Sequence, residues 1–221
     1  MENKTKIIGG IAVIFLVGAV VFVWATLPAG KKSEQAPVAA PVQVATSTYA
    51  TTTFSVVYPA EFSVSDSYVY DKVNPKKPIY GVKFSIPVAM ATGTNLSSFD
   101  TGISVEQLPR AKNCTGDIYL AADVKPTSIT ENGVEYSVAT SSEAAAGNVY
   151  EEAVYALVGS APCTALRYFI HSTAIGNYDP ATIREYDRGA LLGEFDKIRH
   201  SLRIGALPAA APAPAAPTPT P

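Results

Sequence analysis

The chain has 221 residues, 48% of them hydrophobic and only 16% charged, with 17 Lys and Arg against 19 Asp and Glu for a net charge of −2. So apolar and weakly charged a composition fits one folded domain accompanied by a membrane segment. The mildly acidic balance argues against nucleic acid as a partner, because such binding rests on a concentrated basic surface.

The membrane segment comes first. Ile7 to Leu27, IIGGIAVIFLVGAVVFVWATL, is uncharged and about as long as a helix must be to cross a hydrocarbon core. Trp24 sits where an interfacial aromatic would. Residues 1–27 are therefore expected to form an N-terminal transmembrane signal anchor. The alternative is a cleaved signal peptide, which would leave a secreted protein, but the run exceeds a usual secretory apolar region and lacks a good small-x-small cleavage site. Lys4 and Lys6 before the run are opposed by Lys31 and Lys32 after it. An early anchor tends to export the chain behind it, and two cysteines suit an oxidising compartment. The expectation is a single-pass membrane protein with its bulk outside the cytoplasm, in the periplasm or at the cell surface.

Residues 28–47, rich in Ala, Pro, Val, Gln and Lys, read as a flexible tether, and the Ala/Pro-rich residues 206–221 as a disordered tail. Between them, residues 48–205 have the size of one globular domain. Removing Lys4, Lys6, Lys31 and Lys32 from the 17 basic residues, and Glu2 and Glu34 from the 19 acidic, leaves the domain 13 against 17.

Strands follow from alternation. Phe54, Val56 and Tyr58 form one, Tyr80, Val82, Phe84 and Ile86 a second, and Ile103 and Val105 a third, closed by Pro59, Pro87 and Pro109 respectively. A brief helix is expected in GDIYLAAD after Thr115 and a turn around LSSFD. Asn132-Gly133 marks a two-residue hairpin. Gly147-Asn148 and Ser160-Ala161-Pro162 complete a four-strand antiparallel meander from Thr127 to Thr173.

In the last of these strands Leu166, Tyr168 and Ile170 share one face, and Arg167, Phe169 and His171 the other. After the bend AIGNYDP, the spacing of Ile183, Ala190, Leu191, Phe195, Ile198 and Leu202 predicts a long amphipathic helix over 181–202, with Asp179 as cap and Pro180 opening it. Arg199, His200 and Arg203 suit the negative end of its dipole, and Gly205 stops it. The expected class is α+β: an antiparallel sheet of about six or seven strands covered by helices, the C-terminal helix foremost.

TFSVVYPAEFSV at the start of the domain resembles the opening of PsbP-like domains, an aromatic strand leading into Tyr-Pro and a further aromatic, and LLGEFDKIRHSLRI is similar to their closing helix. The resemblance spans about residues 50–204. It implies a sandwich of antiparallel sheet and helices, and an accessory or partner-binding role without catalytic machinery. Nothing in this chain matches the metal-binding or photosystem-binding positions of the plant proteins, so no functional residue is carried over.

Cys114 and Cys163, the only cysteines, read as one disulfide in an exported domain. Two histidines without ligand spacing offer no zinc site, and no glycine-rich phosphate loop or dinucleotide fingerprint calls for a cofactor. His171 and Ser172 point to opposite faces of a strand and cannot act as base and nucleophile. Glu151 or Glu152 is expected to pair with Arg167 across the hairpin. Lys76 and Lys77 read as a solvated turn. The bend is where polar, aromatic and glycine residues gather, which makes His171, Asn177, Tyr178 and Asp179 the candidate binding residues. A strand-to-helix turn needs the same residues.

The sequence thus supports a membrane-tethered extracytoplasmic binding or accessory domain without catalysis, its partner an unidentified extracytoplasmic protein or small ligand. The alternatives are an extracytoplasmic enzyme, such as a hydrolase, with a site near the His171 to Asp179 bend, and a structural envelope module.

Overall fold

The computed structural model describes residues 44–179 and 181–205. The expected anchor and C-terminal tail, and all but the end of the tether, lie outside the described residues. Among the described residues no helix is long and apolar enough to cross a membrane.

In chain order the elements are β1 (Thr46–Ala50), β2 (Phe54–Pro59), β3 (Ser63–Tyr70), β4 (Ile79–Ser85), the single turn α1 (Val88–Ala91), β5 (Gly102–Leu108), a 3-10 turn at Gly116–Tyr119, β6 (Thr127–Glu131), β7 (Val134–Ala145), β8 (Asn148–Leu157), β9 (Cys163–Thr173), a 3-10 turn at Ile175–Asn177, α2 (Arg188–Ser201) and β10 (Arg203–Ile204). The strands form two antiparallel sheets, one ordered β1-β2-β10 and the other β3-β4-β5-β9-β8-β7-β6.

This corrects the α+β expectation. The protein is mostly β: among the described residues α2 is the one helix longer than four residues, and the large sheet is not sheathed in helices. A second sheet shares the covering. β1 already contains Thr46 and Ser47, which composition alone assigns to the tether. β3 escapes a search for alternation because SVSDSYVY is largely polar, lies at the sheet edge and carries a register shift between Ser65 and Tyr68. Such irregularity suits an edge strand, which otherwise invites pairing with another chain.

Local chemistry sets the hairpins. Asn132 and Gly133 take φ of 51° and 78°, the left-handed pair that a two-residue loop between twisted strands requires. The β7–β8 turn differs from expectation by one residue: Ala146 and Gly147 hold the positive φ values. Asn148 belongs to β8, its amide donating to the Ala146 carbonyl at 3.3 Å.

Helix α2 starts later than its apolar spacing predicts. Ala181 has φ of 66°, and the segment after it is held extended. The Arg184 amide donates to the Gly93 carbonyl at 3.2 Å, and the Tyr186 amide to Asn95 Oδ1 at 3.0 Å. Those amides are already satisfied by the β4–β5 connection, so nothing favours a helix there. Asp187 is the cap, accepting from the Ala190 amide at 2.9 Å, in place of Asp179. Ile183 falls outside the helix and Ala190 is exposed. The buried stripe is Leu191, Phe195, Ile198 and Arg199.

Two apolar clusters flank the large sheet. On one face, Phe54 and Val56 of β2 and Leu191, Phe195 and Ile198 of α2 pack against Val82, Phe84, Ile103, Val105, Leu166, Tyr168 and Ile170. On the other, Tyr119 and Leu120 pack with Tyr70, Ile79, Ala139, Val154, Ala156, Cys163 and Ala165. Gly116 permits this second cover, since a Cβ there would come within 2.7 Å of the Ala139 nitrogen on β7. With both faces covered, β9 is buried without a break from Cys163 to Ile170.

Cys114 and Cys163 form the expected disulfide, with Cα atoms 5.1 Å apart and 49 residues of sequence separation. Beside it the Tyr119 hydroxyl donates to the Cys163 carbonyl at 2.7 Å. Replacing both cysteines by serine should cost about 2–4 kcal/mol through the freed loop of the unfolded chain. In hydrogen exchange, protection should fall more around 110–120 than in β5 or β9. Equal loosening of sheet and loop would show that the bridge supports the whole domain.

Candidate functional site

His171 emerges at the end of β9 with both ring nitrogens engaged. Nδ1 lies 2.7 Å from Asp100 Oδ1 and Nε2 lies 3.1 Å from Asn148 Oδ1, while the ring stacks on Tyr150 at 4.5 Å between centroids. Ser97 Oγ donates to Asp100 at 3.2 Å, so serine and histidine each bond the carboxylate and not one another. An imidazole that activates a hydroxyl must reach it directly. This one has no nitrogen left for the task.

The other candidates of the bend are not gathered around it. The Asn177 side-chain amide donates to the Gly147 carbonyl at 3.0 Å, which ties the bend to the β7–β8 turn. The Asp179 backbone carbonyl accepts from the Thr182 hydroxyl at 2.7 Å, and its residue is exposed. Tyr178 is half-buried. A concavity of about 240 Å³ beside the bend is lined by residues including Thr173, Ile175, Tyr186 and Arg188, but by none of the four candidates.

The inner face of β9 holds a cluster that alternation does not reveal. Arg167 is fully buried. Its Nε and Nη2 donate to the two oxygens of Glu106 at 2.8 and 2.9 Å, its Nη2 also to the Tyr119 carbonyl at 2.7 Å, and its Nη1 to Glu152. The Tyr70 hydroxyl donates to Glu152 at 2.8 Å, and the guanidinium lies 3.6 Å over the Tyr70 ring. Burial by itself would lower the arginine's pKa, but Glu106 outweighs it, joined by Tyr70 and Glu152, and the value is held above the ordinary one. Burial also raises the Tyr70 phenol far above its usual range, against the pull of Arg167 and with the push of Glu152. The expected charge pair is therefore Glu152 with Arg167, whereas Glu151 faces the other way and binds Arg188 at 2.8 Å. Two carboxylates closed on one guanidinium have no open side for a substrate.

No family model, curated protein or solved structure matches this chain. Its chemistry is read from these residues alone.

Arg199 and His200 lie in the last turn of α2, as expected, but Arg199 does more there. It does not decorate the helix end in water: it is 2% exposed, with Nε donating to the Tyr168 hydroxyl at 2.7 Å and Nη2 to Asp196 at 2.9 Å, and the guanidinium 4.2 Å over the Tyr155 ring. His200 remains at the surface, 2.8 Å from Glu131, whose carboxyl the His200 and Arg199 hydrogen bonds hold below its ordinary value. Among the described residues no group of three or more His, Cys, Asp or Glu is placed to hold a metal.

A concavity of about 960 Å³ lies at the opposite end of β5 from the bend. Lys77 and Pro78 from the β3–β4 turn form one side, and the run from Pro109 to Asn113 with Thr115, Asp117 and Ile118 forms the other. Tyr80 and Gln107, register partners on β4 and β5, lie between them. Tyr80 is 64% exposed. Lys77, Arg110 and Lys112 all stand on this rim, and among the described residues none has a carboxylate within salt-bridge distance. The disulfide runs through the second wall at Cys114. The sequence signals were present as Lys76-Lys77 and RAKNC, but they lie far apart in the chain, and each alone reads as a solvated turn.

Proposed function

We propose that the protein is a membrane-tethered extracytoplasmic binding or accessory domain without catalytic activity. The observation that carries this reading is the state of His171: both nitrogens are engaged, and Asn177, Tyr178 and Asp179 do not converge on it. An open, cation-rimmed concavity at the other end of the sheet offers room for a ligand without a set of reacting groups. Placement outside the cytoplasm is supported by the apolar run Ile7 to Leu27 and by the disulfide. The resemblance to PsbP-like domains points to the same kind of role, but the helix-covered architecture it implies is not the one found, so the reading rests on the site.

The test is fractionation followed by crosslinking of the full-length protein in its own membranes. It should remain with the membrane after an alkaline carbonate wash, be digested by protease added from outside, and crosslink through its domain to a defined partner. Recovery as a cytosolic chain with two freely alkylated thiols would overturn the assignment.

A further inference from the structure

We propose that the concavity between the β3–β4 turn and the segment from Pro109 to Ile118 binds an extended acidic peptide segment of another protein. The proposal rests on the binding reading above and gives it a ligand class. Its first ground is charge. The domain as a whole carries 13 basic against 17 acidic residues, yet Lys77, Arg110 and Lys112 line one concavity together with a single carboxylate, Asp117. A local cationic cleft on an acidic body attracts anions to itself and repels them elsewhere, which steers a ligand to one place.

The second ground is the lining. The same concavity is lined by Pro78, Leu108, Pro109 and Ile118 and by the exposed Tyr80. A polyphosphate or other uniformly charged polymer has no apolar body to set against them, whereas a peptide alternating acidic and apolar side chains offers both. An exposed tyrosine and an arginine in one concavity are also the residue types from which interface anchors are drawn. Neither terminal segment outside the described residues supplies the charge: residues 206–221 contain no acidic side chain and residues 1–43 only Glu2 and Glu34. The occupant is therefore another polypeptide. The disulfide gives the site its form, because Cys114 ties the wall from Pro109 to Ile118 to β9.

The experiment uses the full-length protein in neutral detergent and a fluorescent peptide alternating glutamate with leucine. Its glutamine-for-glutamate counterpart and inorganic polyphosphate serve as comparisons. Saturable binding of the acidic peptide is expected, weakening with salt as exposed charge pairs do. Reversing Lys77, Arg110 and Lys112 together to glutamate should weaken it at least tenfold, and Tyr80→Ala about tenfold, a usual size for an interface anchor. Lys77→Arg with Lys112→Arg should retain it. Because all four side chains are at the surface, melting temperatures should stay unchanged and show that the fold is intact. Replacing Cys114 and Cys163 by serine should loosen the wall and weaken binding several-fold.

Equal binding of the acidic and glutamine peptides, binding of polyphosphate alone, or indifference to the charge reversal would overturn the proposal. So would self-association abolished by the same substitutions, which would make a second copy the occupant. Crosslinks in native membranes to a partner seated away from this concavity would remove the proposed ligand site and leave the binding role standing.

Discussion

Replacing Arg167 by methionine should destabilise the domain by about 3–5 kcal/mol in urea denaturation, because it leaves the fully buried Glu106 carboxylate without its counter-charge. The loss belongs to the orphaned charge more than to the missing bond. Glu106 would keep only the Ser104 hydroxyl, which donates to it at 2.7 Å, while Glu152, at 11% side-chain exposure and bonded to Tyr70, can turn toward water. Adding Glu106→Leu to Arg167→Met should therefore recover most of the lost stability, since an uncharged pair asks for no desolvated partner. If the double variant is as unstable as the single, the cluster holds the fold through geometry and not through charge balance. The cluster joins β5, β8, β9 and the Tyr119 carbonyl, so its loss should also reduce hydrogen-exchange protection in the 3-10 turn at Gly116–Tyr119.

Phe195→Ala should cost about 3–5 kcal/mol, the usual range for removing a buried ring. Phe195 is fully buried in α2 and meets the Tyr168 ring edge to face at 5.3 Å. Lys197→Ala tests the opposite face. Its ammonium binds Glu194 at 2.6 Å, but with the lysine side chain 72% exposed the pair is worth well under about 1 kcal/mol. Similar losses for the two substitutions in thermal or urea unfolding would mean that the helix does not present Phe195 to the sheet.

Much of the scaffold was legible in the chain because it depends on neighbouring residues. The period of two in Phe54–Tyr58, Tyr80–Ile86 and Ile103–Val105 marks strands at those positions, and the four-strand meander ending in β9 follows from short connections. The disulfide followed from there being only two cysteines. What failed was the class. A polar edge strand such as β3 and a short strand cut from a tether, β1, show no apolar alternation, so the second sheet and the true extent of the first were invisible. Which side chains share a concavity was hidden for a related reason. His171, Asn177, Tyr178 and Asp179 lie close together in sequence, but His171 bonds Asp100 and Asn148, Asn177 bonds the Gly147 carbonyl and Asp179 bonds Thr182, whereas Lys77, Arg110 and Lys112 come together only when the turn before β4 meets the loop after β5.

Local chemistry along the chain was enough to settle that the segments from Thr127 to Thr173 pair as successive hairpins and which two cysteines join, since backbone preference, side-chain period and cysteine count act between neighbours or admit one answer. Contacts between distant segments settled where α2 begins, because Gly93 and Asn95 claim the amides that would otherwise have started it earlier. The same kind of contact places Arg167 and Arg199 inside. A charged side chain is buried when partners arrive to meet it, and those of Arg167 stand 61 and 15 residues away in the chain.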